Sequence, residues 1–290
     1  MPSIDDFNHV PYALPLAQLG ELFPWYRWFG DGPPSPSKKN LGQWSLEEDD
    51  RPIFQYMYKA HQSKRHLEFG TWKGWGAALC LESCCEANVW TINLSDGEDR
   101  PDGTWAYGER VMDPHKSLQH ITTENFGSDE LGPRNYHKTD AGDYIGRIVQ
   151  ERGLGHRVCQ ILCDSRDWDN SDFPQDFFDS VLIDGGHQPD VVINDTRKAL
   201  QVLRPGGLIM WHDFCPVENI RSQFESVKGV TAGLEQIMTE LQEHLERICW
   251  INPSWILVGI KKPKESWIQQ LKEKGLRNDK PVSPTSTPSF

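Results

Sequence analysis

Leu182-Ile183-Asp184-Gly185-Gly186-His187 and, further along, Trp211-His212-Asp213 set two carboxylates and two imidazoles at the ends of two apolar runs, 180–183 and 207–210. A stretch with helical periodicity, 191–203, separates the runs. Two parallel strands joined by a helical crossover bring their ends to one sheet edge, where open α/β sheets bind ligands. Asp184, His187, His212 and Asp213 are therefore expected to converge. Such a set can move protons, hold a metal ion, or do both. Each residue also has a plain structural reading. Asp184-Gly185-Gly186 can be a turn, His187 a surface loop residue, and His212-Asp213 a strand end bonded to loops.

The elements that must position this set follow from the pattern on either side. The spacing predicts short helices over 16–23 and 53–62, then a strand at 66–69, a helix at 77–87 and a strand at 89–92. Residues 95–140 are rich in Gly, Asp, Pro and His and lack periodicity, which predicts an insert acting as a lid. A helix over 141–152 and a strand over 158–162 follow, then the strand–helix–strand unit that carries the set. Helical periodicity runs through much of 217–247. Strands 248–252 and 255–260 come last, and their connection, Asn252-Pro253-Ser254, is too short for anything but an antiparallel hairpin. Strands alternating with helices predict a doubly wound α/β fold with a mostly parallel sheet. The expected organisation is an irregular and helical N-terminal extension over 1–62, one catalytic domain over 63–265, and a helix end with a disordered tail over 266–290.

The bulk numbers narrow the function classes. Thirty Lys and Arg against forty-two Asp and Glu give a net charge of −12, which argues against a nucleic-acid partner. No apolar run has the length of a membrane span and the N-terminus lacks a signal-peptide pattern, so a cytoplasmic, membrane-free protein is expected. Seven cysteines without a Cys-x-x-Cys pair read as small buried hydrophobes, although Cys80 and Cys84 lie one helical turn apart. Twelve tryptophans are many for 290 residues. Trp25, Trp28, Trp44, Trp72, Trp75, Trp105 and Trp168 lie outside the strand cores, where they either wall a pocket or pack the extension onto the sheet.

The turn after the first predicted strand of the domain reads Glu68-Phe69-Gly70-Thr71-Trp72-Lys73-Gly74-Trp75-Gly76. Glycines there let backbone approach a ligand, and the following helix adds unpaired N–H groups. The order is neither the dinucleotide fingerprint nor a phosphate loop. Glu-x-Gly-x-x-x-Gly in this place resembles the S-adenosylmethionine loop of class I methyltransferases, especially small-molecule O-methyltransferases of the catechol type. The stretch from Ile183-Asp184-Gly185-Gly186-His187 through Leu203-Arg204-Pro205-Gly206-Gly207 to Asp213 is similar to the bacterial macrocin-type sugar O-methyltransferases. The resemblance covers about 64–262 and implies a seven-stranded Rossmann-like sheet.

Carried over residue by residue, the resemblance implies a cofactor site made by Glu68, Gly70, Thr71, Gly74, Asn93, Asp164, Ser165 and Asp184. Glu68 would organise the loop near the methionine ammonium, Gly70 and Gly74 would admit the cofactor, and Asp164 and Ser165 would lie beside the adenine. Asp184, His212 and Asp213 would hold a divalent metal, with Mg²⁺ the ion expected, and His187 would be the general base. Two positions depart from the family pattern. Asn93 stands where an acidic residue usually holds the ribose, with Asp96 and Asp99 as substitutes, and His212 stands where a carboxylate is usual. Imidazole suits Zn, Fe, Ni or Cu better than Mg²⁺. The implied reaction moves a methyl group to a hydroxyl of a small acceptor, a sugar or a phenolic natural product. Two rivals remain at this stage: a non-haem iron hydroxylase using His187, His212 and a carboxylate, and a cofactor-binding protein without turnover. Homo-oligomerisation is left open.

Overall fold

The computed structural model describes residues 13–23, 32–35, 37–94 and 145–263. The expected lid over 95–140, the start of the helix at 141 and the C-terminal tail lie outside the described residues, as do Trp25, Trp28, Asp96, Asp99 and Trp105.

The fold is a mixed α/β sheet with helices around it. Its strands are β1 (Ala13–Pro15), β2 (Arg65–Phe69), β3 (Asn88–Asn93), β4 (Val158–Leu162), β5 (Phe178–Ile183), β6 (Leu203–Trp211), β7 (Leu245–Asn252) and β8 (Leu257–Lys261). They lie in the order β1-β7-β8-β6-β5-β2-β3-β4. Among the described residues the sheet therefore has eight strands, one more than the seven expected. The additional one, β1, is three residues long and adds in parallel to the free edge of β7, with Leu14 opposite Ile251. An edge position tolerates the proline that closes it, because its missing N–H faces outward.

The run from β6 through β5, β2 and β3 to β4 is parallel throughout. The expected hairpin is present: β7 and β8 pair antiparallel, and β8 pairs antiparallel with β6. All six residues of β5 are buried, as a central strand covered on both faces requires.

Helix α1 (Arg51–His61) precedes β2, α2 (Trp75–Ser83) links β2 to β3, and α3 (Arg147–Glu151) precedes β4. Helix α4 (Pro189–Val202) links β5 to β6, and α5 (Glu218–Arg221), α6 (Glu225–Gln236) and α7 (Met238–His244) fill the stretch before β7. The chain moves from β2 outward to β3 and β4, then returns to the other side of β2 and moves the opposite way through β5 and β6. Right-handed crossovers in opposite directions put α2 and α4 on opposite faces. The reversal lies between β2 and β5, so the turns after these strands part there and leave a crevice. All seven cysteines are free, and only Cys85 is exposed. No helix among the described residues is long and apolar enough to cross a membrane.

Candidate active site

A cavity of about 440 Å³ opens at this reversal, over the C-terminal ends of β2, β3, β4, β5 and β6. Gly70, Trp72, Asn93, Asp164, Ser165, Asp184, His187, His212 and Asp213 line it, within the usual volume of a small-ligand site. The four residues expected to converge do so.

Asp184 follows β5, and His212 and Asp213 follow β6. One ligand atom from each lies within 4.8 Å of the other two. His212 Nδ1 is 3.3 Å from Asp184 Oδ1 and 3.7 Å from Asp213 Oδ2. His187, on the rim, puts Nε2 3.0 Å from Asp213 Oδ2. The close donor group thus has two carboxylates and one imidazole, whereas the hydroxylase reading needs two imidazoles. Asp213 has φ +56, an uncommon conformation for any residue but glycine, which a short polar side chain tolerates best.

The fields are strong because His212 and Asp213 are buried. Burial alone would depress the His212 imidazolium, but Asp184 and Asp213 outweigh it and hold its pKa well above the ordinary histidine value. Burial opposes ionisation of Asp213 too, yet His212 and His187 keep its carboxyl far below the usual range. His187, although exposed on the rim, shifts in the same direction: partial desolvation lowers its pKa, the bond to Asp213 raises it, and the net shift is upward.

Helix α6 fixes where His187 sits. A Cβ on Gly229 would lie 2.1 Å from the carbonyl oxygen of His187, and one on Gly233 would lie 2.9 Å from that of Pro189. Only glycines allow the helix this close to the loop.

The glycines of the turn also serve chain packing. Gly70 has φ +92, and its missing Cβ points at the backbone of Asp184, 2.0 Å from that carbonyl oxygen. Gly74 faces Val149 and Gly146 and does not line the cavity. Both glycines let chain segments meet, and Gly70 also borders the cavity. Glu68 and Thr71 are buried and are not among the lining residues, and Glu68 Oε2 and Thr71 Oγ1 have no hydrogen-bond partner among the described residues. Burial, and to a lesser extent Asp184, push the Glu68 carboxyl well above the usual range. Asn93 lines the cavity but uses its amide on the turn: Oδ1 accepts from Trp72 N at 3.0 Å and Nδ2 donates to Leu94 O at 2.8 Å. Asp164 accepts from Arg166, through the backbone at 2.7 Å and through the guanidinium at 3.0 Å.

The tryptophans divide between the two expected roles. Trp72 lines the cavity, with an Nε1 that has no partner among the described residues, whereas Trp44 and Trp168 are buried in the core. Trp75 is half-buried, with Arg51 and Arg152 over its ring.

Two site residues were not expected from the sequence. Asp195, on α4, is buried against the cavity and takes a bond from Asn194 Nδ2; burial raises its pKa to about 7. It lies four residues after Val191 on the apolar stripe of its helix, so a carboxyl on that stripe was the available signal. Asp50, immediately before α1, is fully buried, and its Oδ2 lies 3.1 Å from His212 Nε2. Its Oδ1 accepts from Trp44 Nε1.

A sheet that reverses beside β2, with a glycine turn and a carboxylate–imidazole group at the reversal, defines an enzyme of the Rossmann-like class. The chain belongs to the methyltransferase-domain family, whose profile matches residues 67–214. No curated protein matches it. Among solved structures it is similar to the S-adenosylhomocysteine-bound methyltransferase PaMTH1 of Podospora anserina (15% identity, 74% of this chain and 78% of that one, TM-score 0.46). It is also similar to an O-methyltransferase of Bacillus cereus in complex with S-adenosylhomocysteine (16% identity, 77% and 84%, TM-score 0.44). A third is the O-methyltransferase TomG of Streptomyces achromogenes, involved in tomaymycin synthesis (14% identity, 73% and 79%, TM-score 0.42).

Proposed function

We propose that the chain transfers the methyl group of S-adenosylmethionine to a hydroxyl of a small acceptor, a sugar or a phenol, with a divalent metal ion held by Asp184, His212 and Asp213. One observation carries the reading: the glycine turn, Asp164-Ser165 and the carboxylate–imidazole group line a single cavity. A cofactor and an acceptor bound in it would be held side by side.

The cofactor supplies an electrophilic sulfonium methyl, and the ion supplies a Lewis acid for the acceptor oxygen. The protein's own groups do the rest. The His187 imidazole takes the acceptor proton on the ring nitrogen that does not face Asp213, as the carbon–oxygen bond forms and the carbon–sulfur bond breaks, leaving a methyl ether and S-adenosylhomocysteine. Asp213, 3.0 Å away, stabilises the imidazolium that results. Trp72, which lines the cavity and whose Nε1 has no partner among the described residues, is a polar group of the glycine turn suited to a ligand rich in hydrogen-bonding atoms. Holding nucleophile and methyl in line accounts for much of the rate, up to about 7–11 kcal/mol in favourable cases.

Calorimetric titration with S-adenosylhomocysteine tests the cofactor. Methyl transfer from labelled S-adenosylmethionine to a panel of catechols and sugar diols, with and without EDTA, tests turnover and the metal. The expected result is binding, followed by EDTA-sensitive transfer to at least one diol. A chain that does not bind S-adenosylhomocysteine contradicts the proposal.

A further inference from the structure

His212 has carboxylates on both sides of its ring. Asp184 and Asp213 lie near Nδ1, inside the cavity. Asp50 lies 3.1 Å from Nε2 and is fully buried. It reaches His212 from a π-turn (Leu46–Asp50) of the N-terminal extension, before the 67–214 stretch of the family match begins. Asp50 has further partners on its other side. Its other oxygen takes the indole N–H of Trp44, the backbone of Trp255 bonds to it, and Phe54 packs on the His212 ring at 6.1 Å between centroids. A carboxylate that accepts one ring N–H of a histidine leaves the other nitrogen's lone pair for a metal, and fixes the ring's direction.

We infer that Asp50 is the positioning residue that turns His212 Nδ1 towards Asp184 and Asp213, and that the resulting nitrogen-and-oxygen donor set takes a transition-metal ion such as Zn²⁺ or Co²⁺ in preference to Mg²⁺. The inference rests on the proposed metal centre and concerns its ion and its outer partner. Mg²⁺ prefers six oxygens and retains water, whereas neutral imidazole is a donor of choice for Zn²⁺ and its neighbours. An imidazole held by a buried carboxylate on its far side is the arrangement that strengthens such a donor.

The experiment is a direct titration of the metal-stripped full-length chain with Zn²⁺, Co²⁺ and Mg²⁺ separately, on wild type and on Asp50→Asn, His212→Asp and Asp184→Asn. Thermal melting checks that each variant folds. Asparagine is nearly isosteric with aspartate but has one oxygen, so it cannot accept from both Trp44 and His212. The wild type is expected to bind Co²⁺ and Zn²⁺ more tightly than Mg²⁺ by at least about tenfold. Asp50→Asn is expected to weaken Co²⁺ and Zn²⁺ by roughly 10–100-fold, the usual effect of an outer partner. His212→Asp is expected to move the preference towards Mg²⁺, and it keeps the test decisive if Asp50→Asn fails to fold. A second readout separates positioning from packing. With ¹⁵N-labelled histidine and Zn²⁺ bound, the His212 signals should show Nδ1 on the metal and Nε2 protonated in wild type. In Asp50→Asn that assignment should become mixed. Wild type binding Mg²⁺ as tightly as Zn²⁺ overturns the inference and leaves the metal centre standing. Unchanged Co²⁺ affinity and ring signals in Asp50→Asn also overturn it. Wild type binding no ion more tightly than Asp184→Asn overturns both.

Discussion

His66 and His212 are both buried and both pack against α1, on neighbouring turns of that helix. Tyr58 meets the His66 ring edge-on at 5.0 Å, Phe54 meets His212 at 6.1 Å, and the two aromatic rings stack on each other at 6.4 Å. Their partners differ. His66, near the start of β2, shares hydrogen bonds with Tyr58 Oη at 3.1 Å and Ser180 Oγ at 2.8 Å. His212, beyond the end of β6, lies between Asp50 on one side and Asp184 and Asp213 on the other. Hydroxyls satisfy a neutral ring but cannot offset a buried charge, so burial pushes the His66 pKa down to about 3. Carboxylates reverse the outcome at His212. Burial is common to both, so it does not by itself separate a candidate site histidine from a structural one in this protein. The sign of the partners does, together with position at the edge where the strands end.

Removing the rim imidazole from the charged end has the largest expected effect. His187→Ala should slow methyl transfer by roughly 10²–10⁴-fold, the range of a positioned base. Because the His187 pKa is raised, the base is freed only above the ordinary histidine range, and the ascending limb of kcat/KM should lie above about pH 6.5. Asp213→Asn should move that limb to lower pH. Wild-type turnover by His187→Ala would mean that the proton leaves by another route.

The second prediction concerns the neutral end. His61, with its pKa lowered by burial to about 4, and His66, at about 3, resist protonation in the folded chain. The unfolded chain takes up those protons near pH 6.5. Stability from this source is therefore complete above pH 6.5 and is lost as pH falls towards 4 and 3. Over its full window His61 should contribute on the order of 3 kcal/mol and His66 on the order of 5 kcal/mol. Urea melts between pH 7.5 and 4.5 should show the decline, and His66→Gln should flatten it. A flat profile in the wild type would show that these rings do take protons in place.

A smaller effect should come from the contact between α6 and the His187 loop. Gly229→Val inserts a side chain where only 2.1 Å separates a Cβ from the His187 carbonyl oxygen. A stability loss of about 1–3 kcal/mol is expected from the overpacking, with kcat falling and affinity for S-adenosylhomocysteine unchanged. A loss of cofactor affinity with normal kcat would place the effect elsewhere.

The comparison also separates what the sequence discloses from what it conceals. The four residues at the strand ends could be brought together on paper, because apolar runs, a helical spacer and the crossover rule fix which ends meet. Strand β4 falls on the expected residues because Val158–Leu162 is bounded by polar turns. Asp50 was not legible. Asp50-Arg51-Pro52 looks like an ordinary helix start, yet Asp50 makes no side-chain capping bond and points inward to His212. That pairing spans 162 residues, and nothing local encodes it. The glycines show a different limit. A pattern that admits a ligand also admits another strand's backbone, and at Gly70 the space for a Cβ is taken by Asp184. Strand β1 escaped because three residues ending in proline carry no alternation to read.

The most direct test is a crystal structure of the chain with S-adenosylhomocysteine and Mn²⁺, using anomalous scattering to locate the ion. The account predicts the cofactor in the cavity bordered by Gly70 and Asp164-Ser165, and an anomalous peak bound by Asp184, His212 and Asp213. A cofactor outside that cavity, or a peak absent from those three residues, would contradict it.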